Sequence, residues 1–326
     1  MDSVISIYGI LHYLFLVAQM AVSQSEIAVV GHFAIDRISL PGRSRPVAIL
    51  GGSVTYVSLV AKRLNATVSI ISNVGEDFPE AYMWWLKEEG VNLSNVKKIA
   101  KQKTTNFQLS YDNSFNRTLY LKSKSPIISE SDLPSSLSAT IVHLAPIAGE
   151  IPAALIPKMK KVSQVLSLDP QGLLRRFDRT GKATLRPLID NNMFRLIDIY
   201  KSSIAEIKIL TRNSDLISAI NYVHNLGVKT VIVTLGDQGS ILSEHGILRQ
   251  IPACSPRVIV DPTGAGDAFI GGFLTEYLSS KDAFWCACVG SAAASLVVEG
   301  IGPTFFGKKD EIYERARSVY EKEIKQ

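Results

Sequence analysis

The stretch that most restricts how this chain can fold runs from Val258 to Leu278. An apolar, β-branched run (Val258, Ile259, Val260) leads into Asp261-Pro262-Thr263-Gly264-Ala265-Gly266-Asp267, and a long apolar segment from Ala268 to Leu278 follows. That order reads as a strand, a tight glycine turn and the N-terminus of a helix. Gly264 and Gly266 let the backbone take conformations closed to residues with a Cβ and let a ligand approach closely. The first N–H groups of a helix lack internal partners and, together with the helix dipole, make an anion site. Asp267 stands at that electropositive end. A carboxylate there can take a proton from a hydroxyl while the amides receive charge from a transferring phosphoryl group. For a bare G-x-G-D string, a helix N-cap aspartate is the competing reading.

The rest of the chain repeats the strand-then-helix order. Ile27–Gly31, Thr67–Ser72, Thr140–Leu144, Val162–Leu168 and Lys229–Thr234 read as short buried strands. Helical patterns follow Gly51-Gly52 as far as Leu64, and cover Pro152–Lys161 and Phe284–Val298. Such alternation implies βαβ units, hence an α/β fold with a mostly parallel sheet between helices. Two stretches alternate at strand period instead: Asp36 to Ile49, broken at Pro41-Gly42, and Thr104 to Leu121, broken at Asp112-Asn113.

Composition narrows the function. With 326 residues, 46% of them hydrophobic, the chain can bury one large α/β core or two ordinary ones. The net charge of +5 is spread out except at Lys97, Lys98, Lys101 and Lys103. That cluster reads as a solvated face, and without interleaved aromatics nucleic acid is excluded as a partner. Cys254, Cys286 and Cys288 lack metal-ligand spacing and read as reduced thiols of a cytoplasmic protein. Neither a Walker-A string nor a protein-kinase H-R-D set occurs. Residues 4–22 are strongly apolar. The lack of an early Lys or Arg argues against a signal peptide, and Ser6, Gly9, His12 and Gln19 interrupt a membrane span. The expectation is an N-terminal extension over residues 1–25, with translation starting at Met20 and no membrane element; a membrane-tethered form is the alternative.

The nine residues Asp261 to Phe269 resemble the C-terminal signature of the ribokinase-like (PfkB) family of sugar and nucleoside kinases, close to D-T-x-G-A-G-D. The resemblance covers roughly residues 27–316, in the family's order. It implies one kinase domain over residues 26–326, with a β-sheet lid from segments 36–50 and 104–122 over the substrate. Asp267 would be the catalytic base, with Gly264, Ala265 and Gly266 as anion hole. Asp36 matches the aspartate that holds substrate hydroxyls. Gly51 and Gly52, with the Val74-Gly75-Glu76-Asp77 exit loop, resemble the N-terminal signature. Tyr56 departs from it, standing where many members carry a sugar-binding asparagine. G-G-S-x-T-Y is similar to an inositol-kinase-like branch.

From the lid, Gln108 is a further substrate candidate. Of the family's N-x-x-E, the glutamate survives as Glu206, acting through water on magnesium and phosphate, while Ser203 replaces the asparagine beside the nucleotide. Asp169-Pro170-Gln171-Gly172 resembles a D-P or D-x-N segment near the phosphates. Thr234, Gly236 and Gly239 match the T-x-G-x-x-G that lines the nucleotide, and Ala293 falls at the adenine edge. Asp261 belongs to a loop where many relatives hold a monovalent cation. The implied activity is transfer of phosphate from ATP, with Mg²⁺, to a hydroxyl of a small sugar or polyol, inositol included. A nucleoside acceptor and a catalytically silent sugar or nucleotide sensor are the alternatives. A homodimer through the lid is a further expectation.

Overall fold

The computed structural model describes residues 25–324 apart from residue 115, so the readings made for residues 1–24 lie outside the described residues. Among the described residues the strands are β1 (Ser25–Val30), β2 (Ala34–Ser39), β3 (Val47–Gly51), β4 (Val68–Gly75), β5 (Asn92–Ile99), β6 (Thr105–Tyr111), β7 (Arg117–Ser123), β8 (Ala139–Leu144), β9 (Ser163–Leu168), β10 (Arg175–Phe177), β11 (Ala183–Leu185), β12 (Ile199–Ser203), β13 (Thr230–Thr234), β14 (Ser240–Glu244) and β15 (Ile247–Ile251). The α-helices are α1 (Ser53–Arg63), α2 (Glu80–Glu88), α3 (Ile156–Lys161), α4 (Gln171–Leu174), α5 (Ile204–Thr211), α6 (Leu216–Asn225), α7 (Ala265–Leu278), α8 (Ala283–Val297) and α9 (Lys309–Ile324).

The main sheet has nine strands in the order β15-β14-β13-β12-β9-β8-β1-β4-β5. Neighbours from β5 through β13 are parallel; β14 and β15 close that end antiparallel. In β1, Ile27 and Val29 enter one apolar cluster with α1, α7 and α8, while Ala28 and Val30 enter the other with α3, α5 and α6. The period-2 alternation of side chains thus produces two cores, one on each face. From β1 the chain moves outward to β4 and later returns to β8 on the other side. The carboxyl end of β1 is therefore at a topological switch point, where such sheets hold ligands.

A second sheet, β3-β2-β6-β7, forms the expected lid. Two antiparallel hairpins, β2–β3 and β6–β7, are joined by the parallel pair β2–β6. An addition that the sequence reading lacked is the β10–β11 hairpin. It abuts the lid edge where Leu121 N–H donates to Gly181 O at 2.8 Å, and Phe177 packs on Phe107 with ring centroids 6.2 Å apart.

Two elements differ from expectation. Val258–Val260 is not a strand. Its only regular anchor is a bond from Val260 N–H to Val298 O at 2.8 Å, and Val258 and Ile259 are half exposed. The sheet already ends at β15, so a β-branched run there has no partner and passes along α8 instead. Conversely, residues 199–203 form the central strand β12, which Lys201 disguises in the sequence. Of the lysine cluster, Lys97 and Lys98 lie on the edge strand β5, where they pair with Asp132 and Glu80, and Lys101 and Lys103 are exposed in the turn after it, in keeping with a solvated face. Among the described residues no helix is long and apolar enough to cross a membrane.

Candidate active site

Asp261 builds the turn. Its Oδ1 accepts from the N–H and hydroxyl of Thr263 at 2.9 and 2.6 Å, and its Oδ2 accepts from Gly302 N–H at 2.9 Å. Both oxygens of this fully buried side chain thereby lock the turn against the 300–303 loop. Gly264 N-caps α7 with φ 82°, the left-handed region that favours glycine. Gly266 is helical and its glycine has another cause: a Cβ there would lie 2.7 Å from Lys201 Nζ.

Asp267, in the first turn of α7, is partly exposed. Its Oδ1 accepts from Gln171 Nε2 at 3.1 Å, and the same nitrogen donates to Ser53 Oγ at 2.8 Å. Burial pushes the Asp267 carboxyl above the usual range and Asp169 adds to the rise, while the charge of Lys201, a hydrogen bond with the Ser53 hydroxyl and the charge of Arg175 pull it down. Lys201 and Asp169 form a buried ion pair at 2.7 Å beneath the turn. Burial works against the Lys201 charge, but Asp169, Asp267 and Glu206 together keep its pKa raised.

On the lid side, Asp36 is buried and its Oδ1 has no hydrogen-bond partner. Burial raises its pKa to about 7, against Arg117 and Arg175 and with help from Asp261 and Asp267. Tyr56 is also buried, its hydroxyl unpartnered, and burial plus the charges of Asp36, Asp261 and Asp267 push its pKa well up. Both side chains thus carry a buried polar atom without a partner close to the 261–267 turn, each a lost hydrogen bond unless a further group supplies one. Tyr111, from the end of β6, meets the Thr263 hydroxyl at 2.9 Å and joins lid to turn.

Gly51 and Gly52 serve close approach within the protein. A Cβ on Gly51 would lie 1.9 Å from Asp36 Oδ2, and one on Gly52 would lie 2.5 Å from His32 O. Gln108 is a correction. Register pairs Asp36 with Phe107 and Arg37 with Gln108, so Gln108 stands on the lid's outer face, opposite Asp36.

A cleft of about 380 Å³ beside the turn brings together Thr234, Gly236 and Gly239, the residues expected at a nucleotide, with Ala265, Gly266 and Phe269. Ala293 is a second correction: it is buried, 3.3 Å from where a Cβ on Gly272 would sit, while its neighbour Ala294 faces the cleft. Ser203 and Glu206 form a reciprocal capping box at the start of α5, with Ser203 N–H and Oγ donating to Glu206 Oε2 at 2.8 and 2.7 Å. Neither lines the cleft, although the Glu206 charge reaches Lys201 and Arg175.

Sequence reading did not single out Ser53, Arg175 or Lys201, and took Gln171 only as part of the D-P segment near the phosphates. A lysine inside an otherwise strand-like run, and a polar D-P-Q segment directly after β9, were the available signals.

A glycine turn capping a helix at the switch point of a lidded, doubly wound sheet, with a carboxylate facing it, defines a phosphotransferase of the ribokinase fold. The chain belongs to the pfkB family of carbohydrate kinases, whose profile matches residues 24–309. It is 28% identical to a cytidine kinase of Thermococcus kodakarensis over 85% of this chain and 97% of the relative. It is 26% identical to an inositol 3-kinase of Arabidopsis thaliana over 89% of this chain and 80% of the relative. Among solved structures, a pyrophosphate-dependent kinase of the ribokinase family, complexed with a pyrophosphate analog and myo-inositol, matches with TM-score 0.76 at 22% identity, over 88% of this chain and 99% of that one.

Proposed function

We propose that this kinase transfers the γ-phosphoryl group of ATP to a hydroxyl of a small polyol or sugar, with Asp267 as general base. The acceptor hydroxyl gives its proton to Asp267, its oxygen forms the new P–O bond, and the bond to the ADP oxygen breaks. The N–H groups of Gly264, Ala265 and Gly266 face the charge that builds on the transferring group. The observation that carries this reading is the partly exposed Asp267 carboxylate, tied at Oδ1 to Gln171 beside the helix N-terminus.

Asp36 and Tyr56, each with an unpartnered buried oxygen, would hold acceptor hydroxyls. ATP is favoured over pyrophosphate because, among the described residues, the only charged side chain lining the donor cleft is Asp237. A bare pyrophosphate would find no cation along that wall, whereas an adenine ring suits it. Magnesium fits the same frame. Magnesium keeps several of its waters and is usually carried by substrate phosphates with one or two carboxylates rather than by an all-protein cage. Glu206, whose Oε1 lies outside the capping box, would hold it through water. When bound, the ion would neutralise phosphate charge.

A nucleoside acceptor is the second reading. It is favoured by the apolar inner lid, where Ile38, Phe107, Leu109 and Leu119 are buried, and by the likeness to a cytidine kinase. The test is ATP turnover against a panel of sugars, inositols and nucleosides, with Asp267→Asn as control. Loss of the base should lower turnover by about 10²–10⁴-fold and leave the fold intact. Unchanged turnover in that variant overturns the assignment.

A further inference from the structure

Gln171 sits between two groups of opposite demand. Its Nε2 donates to Asp267 Oδ1 at 3.1 Å and to Ser53 Oγ at 2.8 Å, and its Oε1 accepts from Arg175. Arg175 is itself fixed: its other terminal nitrogen donates to Ile147 O at 2.9 Å, and its side chain is buried. Among the described residues no carboxylate lies within ion-pair distance of Arg175, so its nearest anchored acceptor is the Gln171 amide. Arg175 cannot lose its proton and has no acceptor atom, so it holds only the oxygen end of that amide. The amide therefore cannot flip, and Asp267 always meets an N–H donor.

We propose that Gln171, locked by Arg175, is a positioning residue that keeps the Asp267 carboxylate oriented and ionised with its second oxygen open to the acceptor. An N–H donor favours an ionised carboxylate; the amide oxygen, were it turned round, would favour the protonated acid, which is useless as a base. This rests on the reading of Asp267 as base. Because Arg175 opens β10, the hairpin that packs Phe177 onto Phe107 of the lid also sets this orientation.

Other groups bear on Asp267: Lys201 from β12, Asp169 after β9, the Ser53 hydroxyl at the start of α1, and Arg175. Asp36 and Tyr56 face it from the lid and α1. The experiment must therefore change Gln171 alone.

The test is the pH dependence of kcat/KM in Gln171→Met, Gln171→Glu and Gln171→Asn beside the parent and Asp267→Asn. Gln171→Met removes the donor at nearly constant volume, and kcat should fall about tenfold or more, with little change in the KM for ATP. The acid limb should move to higher pH in Gln171→Met and further in Gln171→Glu, which places a second carboxylate beside the base. Gln171→Asn, one methylene short of bridging Arg175 to Asp267, should not rescue. An acid limb that stays at the parent position in both Gln171→Met and Gln171→Glu overturns the proposal, whatever happens to kcat or melting temperature. Full turnover in Asp267→Asn instead overturns the underlying assignment of the base.

Discussion

The ring of Tyr56 lies directly against Gly264: a Cβ on that glycine would come within 2.3 Å of the ring's Cε1. The residue that departs from the family's asparagine is thus packed on the anion turn itself, and its hydroxyl ends in a buried place without a partner. This pairing gives Tyr56→Phe opposite effects on stability and on binding. Removing an unsatisfied buried hydroxyl should leave the unliganded protein as stable or raise its stability by about 1–3 kcal/mol. The KM for the acceptor should rise while that for ATP stays put. A drop in melting temperature together with an unchanged acceptor KM would show that the hydroxyl serves the fold and not the substrate.

Asp36 makes stability depend on pH. Its folded pKa, raised by burial to about 7, exceeds that of an exposed aspartate. Well below the exposed value both states hold the proton. As pH rises toward 7 the unfolded chain releases it while the folded chain keeps it, so stability falls and the loss is complete above about 7. Asp36→Asn escapes this. Its melting temperature relative to the parent should be higher at about pH 8 than at about pH 5, with weakened acceptor binding at both. A difference that does not change with pH would contradict the assignment.

Gly266→Ala tests the buried pair beneath the turn. The added methyl would meet Lys201 Nζ at 2.7 Å and push it from Asp169, leaving two buried charges poorly matched. Removing one partner of such a pair costs about 3–5 kcal/mol, so this displacement, which keeps both partners, should cost less than that, as urea denaturation would read. In a Lys201→Met background the same alanine should cost much less, and equal costs in the two backgrounds would place the conflict elsewhere.

Ala293 and Ala294 separate packing from binding. Ala294→Leu narrows the donor cleft and should raise the KM for ATP with little effect on melting temperature. Ala293→Leu crowds the contact with Gly272 and should cost about 1–3 kcal/mol of stability without a selective change in that KM. The reverse pattern would mean that α8 presents its other side to the nucleotide.

The local part of this protein was legible in one dimension. Asp261 to Asp267 spells a turn and helix start because glycine conformations and unpaired helix amides are properties of neighbouring residues. Strands such as β1 and β8 announced themselves by short apolar runs, and the two lid hairpins by alternation broken at Pro41-Gly42 and Asp112-Asn113. The run at Val258–Val260 misled because β-branching states a preference that only a partner strand can satisfy.

What the tertiary structure alone decided is which side each residue faces and what stands opposite. Gln108 and Tyr111 lie on one strand, yet period 2 sends the first outward and the second onto Thr263. One step along α8 takes Ala293 into the core and Ala294 to the cleft. Gln171 and Asp267 are 96 positions apart, and Lys201 and Asp169 are 32 apart. A glutamine or lysine has many uses in a sequence, and its role is fixed by the charge or donor that folding sets against it. For this chain, the sequence by itself determined the strand–turn–helix elements and the anion turn, because those follow from short-range backbone chemistry. The setting of Asp267 among Gln171, Arg175 and Lys201 depended on the order of strands in the sheet, because electrostatics acts between neighbours in space.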